Sequence, residues 1–128
     1  MNRNFLVIAA LLGALTVAIG AFGAHGLKQV VSPESLGVFE TAVRYQFYHV
    51  FALLAVAILF KENPGKLLLW SGYLFIIGII LFSGSLYLLT FLKAANKVGM
   101  EGIGIITPFG GLFFISGWFL MAISFLKK

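Results

Sequence analysis

The side chains of this chain that could do chemistry are few, and most stand near the ends of long apolar runs. His25 closes the first run in "GAFGAHGL", and Glu40, Arg44, Tyr45, Gln46 and His49 follow one another in "FETAVRYQFYH". Ser83, Ser85 and Tyr87 lie in "FSGSLYLL", while Thr107 and Pro108 open "TPFGG" ahead of Gly110 and Gly111. Two histidines on facing helices can in principle ligate a haem iron, but these two belong at unlike depths. A metal site needs a third or fourth ligand beside them. The chain has no nucleophile–base–acid set, no HExxH, no phosphate loop and only four acids. No catalytic residue, metal or cofactor is therefore expected, and the chain does not read as an enzyme.

The elements that position these residues follow from composition. The 128 residues are 61% hydrophobic, 16% aromatic and only 10% charged. A soluble unit of that size cannot hide so much apolar surface, so the excess must face lipid. The length suits a single domain. The net charge of +5 comes from bases scattered at the ends of apolar runs, as flanks of membrane spans. They form no cluster suited to nucleic acid, and none is expected as a partner. Cysteine is absent, which removes disulfides and thiolate chemistry.

Four apolar runs, at about 5–24, 41–60, 67–91 and 103–126, are each near the ~20 residues that cross ~30 Å of hydrocarbon. They are continuous and too long for barrel strands, and lipid requires backbone groups to be satisfied within each segment. The second helix starts early: Ser32 is a capping residue, Pro33 suits the first helical position, and Glu34 lies at the positive dipole end. The fold expected is an all-α integral membrane four-helix bundle, with an amphipathic interfacial portion leading into helix 2.

Small residues recur at alternating steps of four and three in the first run (Ala9, Gly13, Thr16, Gly20, Gly23). Steps of seven appear in the third (Ser71, Gly78, Ser85) and the fourth (Gly110, Gly117, Ser124). That period predicts close, left-handed packing at shallow angles, within the bundle or between protomers of a homo-oligomer. Arg3 and the small residues after the first run imitate a signal peptide, but the run exceeds a signal's apolar core and three more follow. The termini and the "KENPGK" turn carry Arg3, Lys61, Lys66, Lys127 and Lys128, against Lys28, Arg44, Lys93 and Lys97 on the other side. This bias favours cytoplasmic termini.

Depth sorts the polar residues. His49 lies eleven residues from Phe60, roughly 16 Å along a helix and near mid-membrane. Arg44 stands roughly 24 Å from that end, still inside the hydrocarbon edge. Polar residues of all four runs thus gather in the half opposite the termini, and the other half is almost wholly apolar. Glu40 and Arg44, four apart, can pair on one face of helix 2, while Tyr45, Gln46 and His49 occupy roughly the opposite face. Plainer uses exist for each: Arg44 snorkels, Ser83 and Ser85 bond to helix carbonyls, and Tyr87 joins an aromatic belt. Pro108 cannot donate to the carbonyl of Gly104, so helix 4 should kink or begin irregularly there, and Gly110 and Gly111 permit close approach.

These motifs, in this order and across nearly the whole chain, resemble the domain-of-unknown-function 423 family. Its members are small four-span bacterial membrane proteins similar to the eukaryotic transmembrane protein 256. The resemblance implies a multi-pass protein of the bacterial cytoplasmic membrane and brings no established activity, substrate or cofactor. Its pattern falls on His25, Tyr45, Gln46, His49, Ser83, Ser85, Tyr87, Thr107, Pro108, Gly110 and Gly111. The function expected is a non-enzymatic membrane protein whose polar cluster binds a small polar group or lipid headgroup, or organises an oligomer. The alternative is an oligomeric unit for permeation of small solutes or ions.

Overall fold

The computed structural model describes residues 1–95 and 101–127; Lys97 and Lys128, counted above among the flanking bases, lie outside them. Each apolar run becomes helical, and local chemistry sets where each begins. Helix α1 (Arg3–His25) starts at Asn2, whose side chain accepts from the Phe5 amide at 3.1 Å. The Asn2 amide itself donates to the Ala57 carbonyl at 2.9 Å, which pins the start of α1 to the end of α2. A 3₁₀ turn, Leu27–Gln29, leads to α2 (Pro33–Leu59). Ser32 caps α2 by accepting from the Ser35 amide, with Pro33 in the first turn where its missing N–H leaves nothing unsatisfied. The amphipathic entry and the apolar span are one uninterrupted helix.

The third span comprises α3 (Lys66–Gly78), a π turn (Ile79–Ser83) and α4 (Gly84–Ala94). The fourth is α5 (Ile106–Leu126), entered through a 3₁₀ turn over Glu101–Ile105. Among the described residues four helices are long and apolar enough to cross a membrane.

α2 is the hub. It packs on α1 along one side and on α3, the π turn and α4 along another, while α5 packs chiefly against α3 and the π turn. The stripes of small residues form these seams: Ala9, Thr16 and Gly23 of α1 are buried toward α2, as are Ser71, Gly78 and Ser85 and their counterparts Gly110, Gly117 and Ser124 between spans three and four. Rings fill the space that missing side chains leave. Phe39 lies over Gly23, Phe5 over Gly72, and Phe75 and Phe114 reciprocally over Gly117 and Gly78. In lipid, where burying leucine gains little, such close van der Waals contact is what selects one packing. The opposite faces carry exposed Val7, Leu11, Phe51, Ile58, Ile80, Leu112 and Phe119, as a lipid-facing surface requires.

The half near the termini is less apolar than its sequence suggests. Ser71 donates to the Gly117 carbonyl at 2.7 Å and Asn63 to the Ser124 carbonyl at 2.8 Å. These bonds tie the α2–α3 turn and α3 to α5, using carbonyls that composition cannot count.

Candidate functional site

Three separate groups, rather than one cluster, come from the polar residues of the half opposite the termini. The first is a directed chain of bonds across three spans. Tyr87 donates to Gln46 Oε1 at 2.6 Å, Gln46 Nε2 donates to Thr16 Oγ1 at 2.7 Å, and Thr16 donates to its own helix at the Leu12 carbonyl. Gln46 and Thr16 are almost fully buried. Nearby, Ser83 donates to the Ala42 carbonyl at 2.8 Å, and Ser85 bonds Thr107 and the Phe82 carbonyl. Among the described residues no buried side-chain nitrogen or oxygen lacks a partner. Every buried polar side chain described here is therefore satisfied within the protein, most by a bond to a neighbouring helix and Thr90 by the Leu86 carbonyl of its own. Thr16 was readable in the sequence only as a small residue of the packing stripe; its role appears once Gln46 faces it.

The second group centres on His49. Its ring stacks on Phe114, with centroids 3.5 Å apart and planes 7° from parallel, and Tyr45 stacks on both His49 and Phe82. Trp118 donates its indole N–H to His49 Nε2 at 3.1 Å, and His49 Nδ1 lies 2.7 Å from the Tyr45 carbonyl. The indole can only donate, so Nε2 is the acceptor and Nδ1 carries the proton given to the carbonyl. Both edges of a neutral imidazole are thus engaged, which is how a histidine is accommodated at that depth. With Ile115 and Gly111 these aromatic residues line a recess of about 330 Å³ between α2 and α5. Trp118, within the "GW" of the fourth span, is the partner that spacing alone did not reveal. Replacing His49 by phenylalanine keeps the stack and removes both bonds; an intact fold with about 1 kcal/mol less stability is expected, measured by unfolding in detergent. A loss above about 3 kcal/mol would instead mean that the bonds, not the stack, hold α5.

The third group is exposed on the outside of the bundle. Gly20, Gly23, Ala24, Phe39, Glu40, Val43 and Arg44 line a groove of about 220 Å³ between α1 and α2. Glu40 and Arg44 are both exposed. The i, i+4 pairing open to them does not form: among the described residues they close no ion pair, and both line the groove. His25, the last residue of α1, stands apart from the buried bonds, in a shallow cleft with Lys28 and Gln29 that meets the groove at Ala24.

The proline motif of the fourth span is placed as follows. Pro108 lies in the first turn of α5, just after the 3₁₀ entry, so the irregular start lies ahead of it and the helix then runs unbroken through Gly110 and Gly111. Gly110 backs directly onto the main chain of Phe82 in the π turn. No group of three or more His, Cys, Asp or Glu able to hold a metal occurs among the described residues.

Comparison with known proteins agrees with this architecture. Residues 19–111 match the family described as "Protein of unknown function (DUF423)". A UPF0382 membrane protein of Haemophilus influenzae is 41% identical over 100% of this chain and 98% of its own length. One from Staphylococcus haemolyticus is 38% identical over 98% of this chain and 97% of its own length. A UPF0382 inner membrane protein of Escherichia coli is 34% identical, covering 98% and 92% respectively. No solved structure matches. On the match to its family and these near full-length relatives, the chain belongs to the DUF423 family of membrane proteins, a multi-pass α-helical protein with four candidate spans.

Proposed function

We propose that this protein is a non-enzymatic lipid-binding protein of the cytoplasmic membrane, its termini cytoplasmic, which seats a phospholipid between α1 and α2 at the opposite end of the bundle. One observation carries the reading: Glu40 and Arg44 stand in a single exposed groove without pairing with each other. A guanidinium at the hydrocarbon edge is costly unless it meets an anion, and a lipid phosphate is the anion available at that depth. Arg also presents the planar fork of donors that suits phosphate oxygens. Gly20, Gly23 and Ala24 line its α1 side, and Phe39 and Val43, which pack against those glycines, supply apolar walls. A groove of about 220 Å³ holds the glycerol–phosphate region while the acyl chains lie along the exposed faces of α1 and α2. The buried bonds of Gln46, Ser83, Ser85 and Thr107 support a packing role for those residues, which leaves the groove as the place where unpaired charge meets the bilayer.

Native mass spectrometry of protein released from mild detergent tests this reading. The wild type is expected to retain phospholipid, and Arg44→Gln to retain about fivefold less or lower, with helicity unchanged. A wild type free of lipid, or an Arg44→Gln variant that retains as much as the wild type, overturns it.

A further inference from the structure

We propose that the headgroup held in this groove is zwitterionic, a phosphate joined to a primary ammonium as in phosphoethanolamine; this rests on the lipid-binding reading above and names the ligand class of that site. The groove contains one cation and one anion, Arg44 and Glu40, both exposed and neither paired with the other. An anionic headgroup satisfies Arg44 but brings its charge against the Glu40 carboxylate. A zwitterion satisfies both.

The order of the two charges along the helix agrees with the order of charges in such a headgroup. Counted from Leu59, the end of α2 near the termini, Arg44 lies roughly 22 Å and Glu40 roughly 28 Å along the axis at ~1.5 Å per residue. With ~30 Å of hydrocarbon, Glu40 stands near the edge and Arg44 about one helical turn deeper, within reach of the edge by snorkelling. In a phospholipid the phosphate sits next to the glycerol and the terminal amine lies farther toward water. Arg44 thus reaches outward to the phosphate from the glycerol side, and Glu40, one turn nearer water, is on the side of the amine.

A primary ammonium has three N–H donors for a carboxylate, whereas a quaternary ammonium has none. The groove should therefore separate phosphatidylethanolamine from phosphatidylcholine as well as from phosphatidylglycerol. Lys28, a further cation, lines the neighbouring cleft with His25 and Gln29 and not the groove itself. Its removal should leave the preference in place.

The experiment reconstitutes the full chain in nanodiscs of dioleoyl-phosphatidylethanolamine, dioleoyl-phosphatidylcholine and dioleoyl-phosphatidylglycerol in equal amounts, followed by native mass spectrometry of the released protein. Phosphatidylethanolamine adducts are expected to exceed each of the others by about fivefold, the discrimination that one charge-assisted contact supplies. Glu40→Gln should bring the three adducts to about equal amounts while total lipid retention persists through Arg44. Lys28→Gln should keep the wild-type ratio. Equal adducts in the wild type, an excess of phosphatidylglycerol, or a Glu40→Gln variant with an unchanged ratio overturns the headgroup assignment while leaving lipid binding intact. A wild type that retains no lipid overturns the lipid-binding reading itself, and with it this inference.

Discussion

Gly110→Ala is expected to lower the stability of the bundle by about 1–3 kcal/mol, while Gly111→Ala, one residue on, leaves it unchanged or slightly raises it. A β-carbon on Gly110 would collide with the main-chain nitrogen of Phe82 and lie 2.8 Å from its Cα and Cβ. Side-chain ends can rotate away from such a contact, but a main chain held in a π turn between two helices cannot. α5 would have to back away from the third span, loosening Phe114 from Gly78 and Phe75 from Gly117 along the same seam. At Gly111 the nearest atom to an added β-carbon is Phe82 Cδ2 at 4.0 Å, ordinary contact. There the substitution removes backbone freedom from the unfolded chain and nothing else. Thermal unfolding of the two variants in one detergent measures the contrast. Equal stabilities would show that α5 does not approach the third span as closely as described.

The second large effect is expected at Gln46. Changing it to leucine removes both of its interhelical bonds and leaves the half-buried Tyr87 hydroxyl without its acceptor, at a cost of about 1–3 kcal/mol. Thr16 is affected less, because it keeps its bond to the Leu12 carbonyl. The stronger test is the double variant Gln46→Leu with Tyr87→Phe. Deleting the stranded hydroxyl should recover part of the loss, so the double variant is expected to be more stable than Gln46→Leu alone. Strictly additive losses would mean that Tyr87 and Gln46 do not exchange a bond. Because hydrogen bonds between membrane helices average well under their expected worth, the cycle should return a coupling of about 0.6–2 kcal/mol.

Chemistry and packing divide differently between sequence and structure in this protein. The helical spans were readable because length and continuous apolarity belong to each segment by itself. Ser32-Pro33-Glu34 announced the start of α2 by local capping rules, and the seven-residue steps of Ser71, Gly78 and Ser85 announced a seam. The partner of each polar side chain was not readable. Successive residues point about 100° apart around a helix, so a small rotation decides whether Gln46 meets Thr16 and Tyr87 or faces lipid. Glu40 and Arg44 have the spacing of a helical ion pair, yet they close none and both line the groove between α1 and α2.

Length and continuous apolarity suffice to read a four-span helical membrane protein from the residues alone, because hydrocarbon imposes helices on any such pattern. The division of the polar residues into a chain of bonds, an imidazole held between Trp118 and Tyr45, and an exposed groove with two charges emerges once the helices pack. The physical reason lies in the π turn over Ile79–Ser83 and the glycine seams. They set the rotation and distance of neighbouring helices, and no residue carries that information before its neighbour is in place.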